Sequence, residues 1–113
     1  MADGNEFIPP GQLRAYVEER MSERQFMEKV IKLAKDGEWL YYHTHRSDRS
    51  PEGWFDLAMA REDHPLILAE LKSQSGCLSA AQRRWRGVLG DGGIYEIHLW
   101  KPSDMLDIEE VLR

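Results

Sequence analysis

The sequence predicts an α/β fold with the core order αβββαβ, a mixed four-stranded sheet flanked by helices. Three observations predict it. An amphipathic helical pattern spans residues 23–35, and three β-prone runs follow one another within residues 39–72. A second helical pattern, residues 79–89, then separates the third run from a fourth at residues 94–100. Strands joined by short turns pair antiparallel, whereas a strand reached across a helix can lie parallel to the one before it.

Residues 1–9 are polar and unpatterned, and Pro9-Pro10-Gly11 breaks the chain. Leu13, Tyr16 and Val17 then recur at helical spacing over Gln12–Arg20. This short helix packs either on the domain or on a second subunit. Residues 1–21 therefore read as an extension, and residues 22–113 as one domain. Ser22 is an N-cap with Gln25 three residues on, the capping-box spacing. Phe26, Met27, Val30, Ile31, Leu33 and Ala34 form the apolar stripe, and Asp36-Gly37 ends the helix. Glu23 stands one turn before Phe26 and Met27, on the side facing the sheet. Its plainer reading is an acidic first-turn residue that favours the helix dipole.

Trp39 to His45 is aromatic and β-prone. His43 and His45 share a face, a pattern that can hold zinc. Such a site needs a further ligand, from Asp56, His98 or another carboxylate, and no second His/Cys pair stands at metal spacing. The loop after it carries Arg46, Ser47, Arg49 and Ser50. It reads equally as a solvated loop or as a set of phosphate donors beside a site.

The chemistry concentrates in Asp56 to Lys72. Asp56-Leu57-Ala58-Met59-Ala60 and Leu66-Ile67-Leu68-Ala69-Glu70-Leu71-Lys72 flank a polar turn at Glu62–Pro65. Antiparallel pairing sets Asp56 near Glu70, and Glu70 and Lys72 share a face. Two carboxylates with the Leu71 carbonyl suit Mg²⁺, a hard ion that keeps several waters. A neighbouring lysine can orient an attacking hydroxide or stabilise developing charge. The plainer reading is an ion pair at a strand edge.

Ser73–Gly76 is a turn, and Ser79 caps the helix that carries Gln82, Trp85 and Leu89 on its inward face. Gln82 has two readings: a local capping-box partner of Ser79, or a polar group that reaches water or phosphate. Arg83, Arg84 and Arg86 are expected on the outer flanks. Lys101-Pro102 ends the fourth strand, and Ser103 or Asp104 caps a last helix to Leu112.

At 113 residues with 42% hydrophobic content, the chain supports one modest core. No apolar run approaches the ~20 residues of a membrane span. The first six residues, Met-Ala-Asp-Gly-Asn-Glu, lack the basic and apolar regions of a signal peptide. Cys77 is alone and cannot form an internal disulfide, so a reducing cytoplasm is the expected compartment. The net charge of −5 counts against strong non-specific DNA binding. Residues 39–101, however, carry 8 basic and 8 acidic groups, and the basic ones are bunched in the 46–49 loop and on the 83–86 helix.

Taken together, His43-Thr44, Ser47, Ser50, Gly53, Asp56-Leu57, Glu70-Leu71-Lys72, Leu78-Ser79 and Gln82 resemble the ordered pattern of the VRR-NUC nucleases. These belong to the PD-(D/E)XK, restriction-endonuclease-like superfamily, and the likeness is to its small stand-alone phage and bacterial members. It covers about Ser22 to Trp100. It departs from the family at Phe55, where a proline is usual. The resemblance implies a restriction-endonuclease-like core, with Asp56, Glu70 and the Leu71 carbonyl as ligands of Mg²⁺ or Mn²⁺. It implies Lys72 as the residue that positions or activates water, Gln82 in support, and Glu23 joining the metal site. Arg46, Ser47, Arg49, Ser50 and Arg83 are the expected DNA contacts. The expected activity is metal-dependent hydrolysis of DNA phosphodiesters, with branched or Holliday-junction DNA as substrate. A homodimer in a bacterial or phage-infected cell is the expected setting. Two other classes stay open: a catalytically silent DNA-binding module of the same fold, and a zinc hydrolase built on His43 and His45.

Overall fold

The computed structural model describes residues 9–44, 51–90 and 95–113. Its order is α1 (Pro10–Arg20), α2 (Glu23–Asp36), β1 (Leu40–His43), β2 (Leu57–Arg61), β3 (His64–Leu71), α3 (Ala80–Leu89), β4 (Tyr95–Trp100) and α4 (Met105–Leu112). The αβββαβ order expected from the sequence is therefore present. His45 and the four loop residues expected to contact DNA, Arg46, Ser47, Arg49 and Ser50, lie outside the described residues.

The strands form one sheet in the order β1-β2-β3-β4. The first three pair antiparallel, and β4 runs parallel to β3. The β2–β3 hairpin is tighter than the sequence suggests, because β3 already starts at His64. Pro65 is tolerated there because it falls at the strand start, where the register slips between Met59 and Arg61.

One sheet face carries the core. Leu57, Met59, Ile67, Ala69, Leu71 and Trp100 pack with Phe26, Val30 and Ala34 of α2, and with Ile108 and Leu112 of α4. The expected stripe of α2 thus meets one face of the sheet, made in β2 and β3 by alternate residues. The Ser22–Gln25 capping box forms in both directions, at 3.1 and 3.0 Å. Before α4, Pro102–Asp104 makes one 3-10 turn, a short prelude that helix-start signals do not resolve. Arg61 ties the hairpin to the end of the chain: it bonds the carbonyls of Gly37 and Arg113 and lies 4.4 Å from the Trp39 ring centre.

α1 buries no residue, and Leu13, Tyr16 and Val17 stay about half exposed. It touches the 3-10 turn rather than the core. Among the described residues, no helix is long and apolar enough to cross a membrane.

Candidate active site

Alternation along β3 decides where the site lies. Ile67, Ala69 and Leu71 point into the core, so Leu68 and Glu70 point to the opposite face, under α3. The register Leu57↔Ala69, continued by one residue, sets Asp56 opposite Glu70. The Asp56 amide donates to the Ala69 carbonyl at 3.1 Å, and the Asp56 carbonyl accepts from Thr44 N–H at 2.9 Å. Lys72 follows β3 directly, and its amide donates to the Trp100 carbonyl at 3.0 Å. Three strands thus fix the backbones that carry both carboxylates and the lysine.

Helix α3 supplies the fourth group. Ser79 caps it, and Gln82 is the capping-box partner that the first of its two sequence readings expects, with its amide also reaching the sheet. Its Oε1 accepts the Ser79 amide at 2.8 Å, while its Nε2 donates to Glu70 Oε2 at 3.0 Å. The segment before Asp56 is docked on the same helix. Trp85 Nε1 donates to the Glu52 carbonyl at 3.0 Å, and Trp54 stands edge-on to Trp85 with centroids 4.9 Å apart. Gly53, at φ +84°, approaches the α3 backbone so closely that a Cβ would fall 2.5 Å from the Ala81 carbonyl carbon. Phe55 is buried, and its carbonyl accepts from Thr44 Oγ1 at 2.6 Å.

Glu70 is 1% exposed, and its Oε1 has no hydrogen-bond partner. Burial, reinforced by the Asp56 charge, pushes its carboxyl up to about 8 against the opposing pull of Lys72 and Gln82. Asp56 is also raised. Burial outweighs the Leu71 amide, which donates to its Oδ2 at 2.8 Å, and the charge of Lys72. Glu23, exposed in the first turn of α2, acts on both carboxylates by its charge, and His43 acts on Asp56.

A carboxylate held out of water with one bare oxygen is costly unless a cation meets it. Asp56, Glu70 and the Leu71 carbonyl fit a divalent ion that retains waters. Among the described residues, no three His, Cys, Asp or Glu side chains converge as a ready cage. Glu23 is therefore an electrostatic neighbour of the pair and completes no side-chain triad with it. In the zinc arrangement, the partner of His43, His45, lies outside the described residues.

Arg83 is exposed on α3 and donates to the Leu78 carbonyl at 3.1 Å. Arg86 differs from its expected place on the outer flank. It is partly buried, and its Nη1 is shielded without a partner. The signal was in the spacing: Arg86 stands four residues after Gln82, on nearly the same side of the helix. No protein-family model matches the chain, and no curated protein or solved structure does either.

Proposed function

We infer that the protein is a Mg²⁺- or Mn²⁺-dependent DNA endonuclease of the VRR-NUC type, with a restriction-endonuclease-like core. The observation that carries this is Glu70: a buried carboxylate with one bare oxygen, opposite Asp56, beside Lys72 and held by Gln82. A plain strand-edge ion pair would be exposed and saturated. Branched DNA is the proposed substrate, and a homodimer in a bacterial or phage-infected cytoplasm the proposed setting. A domain this short offers little surface to grip a branched duplex alone.

When bound, a divalent ion would polarise the phosphoryl oxygens and favour hydroxide over water. The chain's own groups do the rest. Gln82 fixes the rotamer of Glu70, so its free oxygen keeps one direction. The Leu71 amide fixes Asp56 in the same way. The Lys72 ammonium orients the attacking water and balances charge as it builds on the phosphorus oxygens. The new P–O bond forms in line as the bond to the departing sugar oxygen breaks, and that oxygen takes up a proton.

The test is cleavage of a labelled four-way junction beside linear duplex and single strand, with EDTA, Mg²⁺ or Mn²⁺. Wild type should cut the junction only with metal. Lys72→Ala should keep its fold and lose at least ~10²-fold in rate, the scale of a lost charge-stabilising or proton-transfer group. Cutting of all three substrates removes the branched-DNA preference. Junction binding without cutting under any metal turns the assignment into the silent binding module.

A further inference from the structure

Among the described residues, two buried side-chain atoms lack a hydrogen-bond partner: Glu70 Oε1 and Arg86 Nη1. One belongs to a carboxyl and the other to a guanidinium, yet they form no bond with each other. Both belong to the α3 side of the sheet. Glu70 touches α3 through Gln82, and Arg86 is one turn further along that helix. A long helical side chain leans toward the helix N-terminus, which for Arg86 is the end that carries Gln82.

Arginine keeps its charge at any physiological pH, so burial cannot neutralise it. Arg61, also partly buried, shows what a structural arginine does in this fold. It bonds two carbonyls and pairs with Asp63. Arg86 makes no such bond among the described residues. A phosphodiester with a divalent ion would supply the partner each atom lacks, a cation for Glu70 and an anionic oxygen for Arg86.

We propose that Arg86 binds the nucleic-acid backbone, taking a non-bridging oxygen of a phosphate neighbouring the one cleaved at Glu70. This rests on the nuclease reading above. Guanidinium suits such an oxygen because its planar fork donates two hydrogen bonds at once.

The experiment measures junction binding by fluorescence anisotropy in Ca²⁺, across a KCl series, for wild type, Arg86→Met and Arg86→Lys, with ligand-free melting curves. Arg86→Met should bind about ten-fold more weakly, and its log affinity against log salt should be shallower by about one. Its ligand-free melting temperature should equal or exceed that of wild type, because an unpaired buried donor has been removed. Arg86→Lys should keep the wild-type salt slope. Unchanged affinity and slope in Arg86→Met overturn the proposal while leaving the nuclease intact. A lower melting temperature with an unchanged slope also overturns it, since Arg86 is then structural. If wild type binds no DNA at all, the nuclease reading fails and the role of Arg86 falls with it.

Discussion

Gln82 donates to Glu70 across the gap between helix and sheet, at 3.0 Å, with the same amide whose oxygen closes the cap of α3. One side chain therefore couples the start of a helix to the carboxylate under it. Gln82→Ala should lose both bonds. The Ser79 hydroxyl keeps its bond to the backbone amide of residue 82, so the lost half of the capping box costs about 0.5–1.5 kcal/mol, the net worth of one hydrogen bond. Loss of the support to Glu70 should cut cleavage by ~10–100-fold, the usual cost of removing a group that orients a metal ligand. Gln82→Glu separates the two roles. A carboxylate still accepts the Ser79 amide but repels Glu70. Melting at acid pH should stay near wild type while cleavage at neutral pH is lost. Equal cleavage by Gln82→Glu and wild type would dismiss the coupling.

Glu70 also sets a pH dependence of stability. Its carboxyl ordinarily titrates near 4.5 and is raised to about 8 in the fold. The folded state prefers the neutral acid. The contribution is thus intact below about 4.5 and is lost as pH rises through about 8. Without divalent metal, the melting temperature should fall by about 5 °C or more between pH 6 and pH 9, on a scale of ~4–8 °C per kcal/mol for a small domain. Glu70→Gln mimics the neutral acid and should melt at nearly the same temperature at both pH values. Parallel curves for the two proteins would show that Glu70 ionises freely in the fold.

The same proton links metal to pH. A cation needs ionised Glu70, so binding must release the proton that the apo protein holds below about 8. Added Mg²⁺ should therefore raise the melting temperature more at pH 8.5 than at pH 6. Calorimetric titrations at neutral pH in buffers of different ionisation enthalpy should report up to about one proton released per site. Glu70→Gln should show neither effect. Proton uptake, or none, in wild type would mean that Glu70 does not meet the ion.

Much of this arrangement was legible in the sequence because it depends on period and register. Alternation in Leu66–Lys72 placed Glu70 and Lys72 on one face. The Ser79–Gln82 spacing announced the cap, and the stripe of α2 fitted the core. What spacing could not show was burial. Arg83 and Arg86 look alike in a run of three arginines, yet one is exposed and locally bonded while the other is shielded and unpaired. Three-dimensional packing decides that difference. The docking of residues 52–55 on α3 was equally hidden, since Trp54 and Trp85 are 31 positions apart in the chain.

Gly53 tests whether that docking positions Asp56. Its φ of +84° is disfavoured for any residue with a Cβ, and an added Cβ would stand 2.5 Å from the Ala81 carbonyl carbon and 2.7 Å from its oxygen. Neither neighbour is a flexible side chain, so the backbone itself must yield. Gly53→Ala should cost about 2–4 kcal/mol, combining backbone strain with a clash. Only two residues, Trp54 and Phe55, separate Gly53 from Asp56, and the Phe55 and Asp56 carbonyls are both pinned to Thr44. Displacement at Gly53 should therefore reach the carboxylate and reduce cleavage at temperatures where the variant remains folded. Gly53→Ala with wild-type cleavage and a lowered melting temperature would confine the contact to stability and leave Asp56 positioned by its strand partners alone.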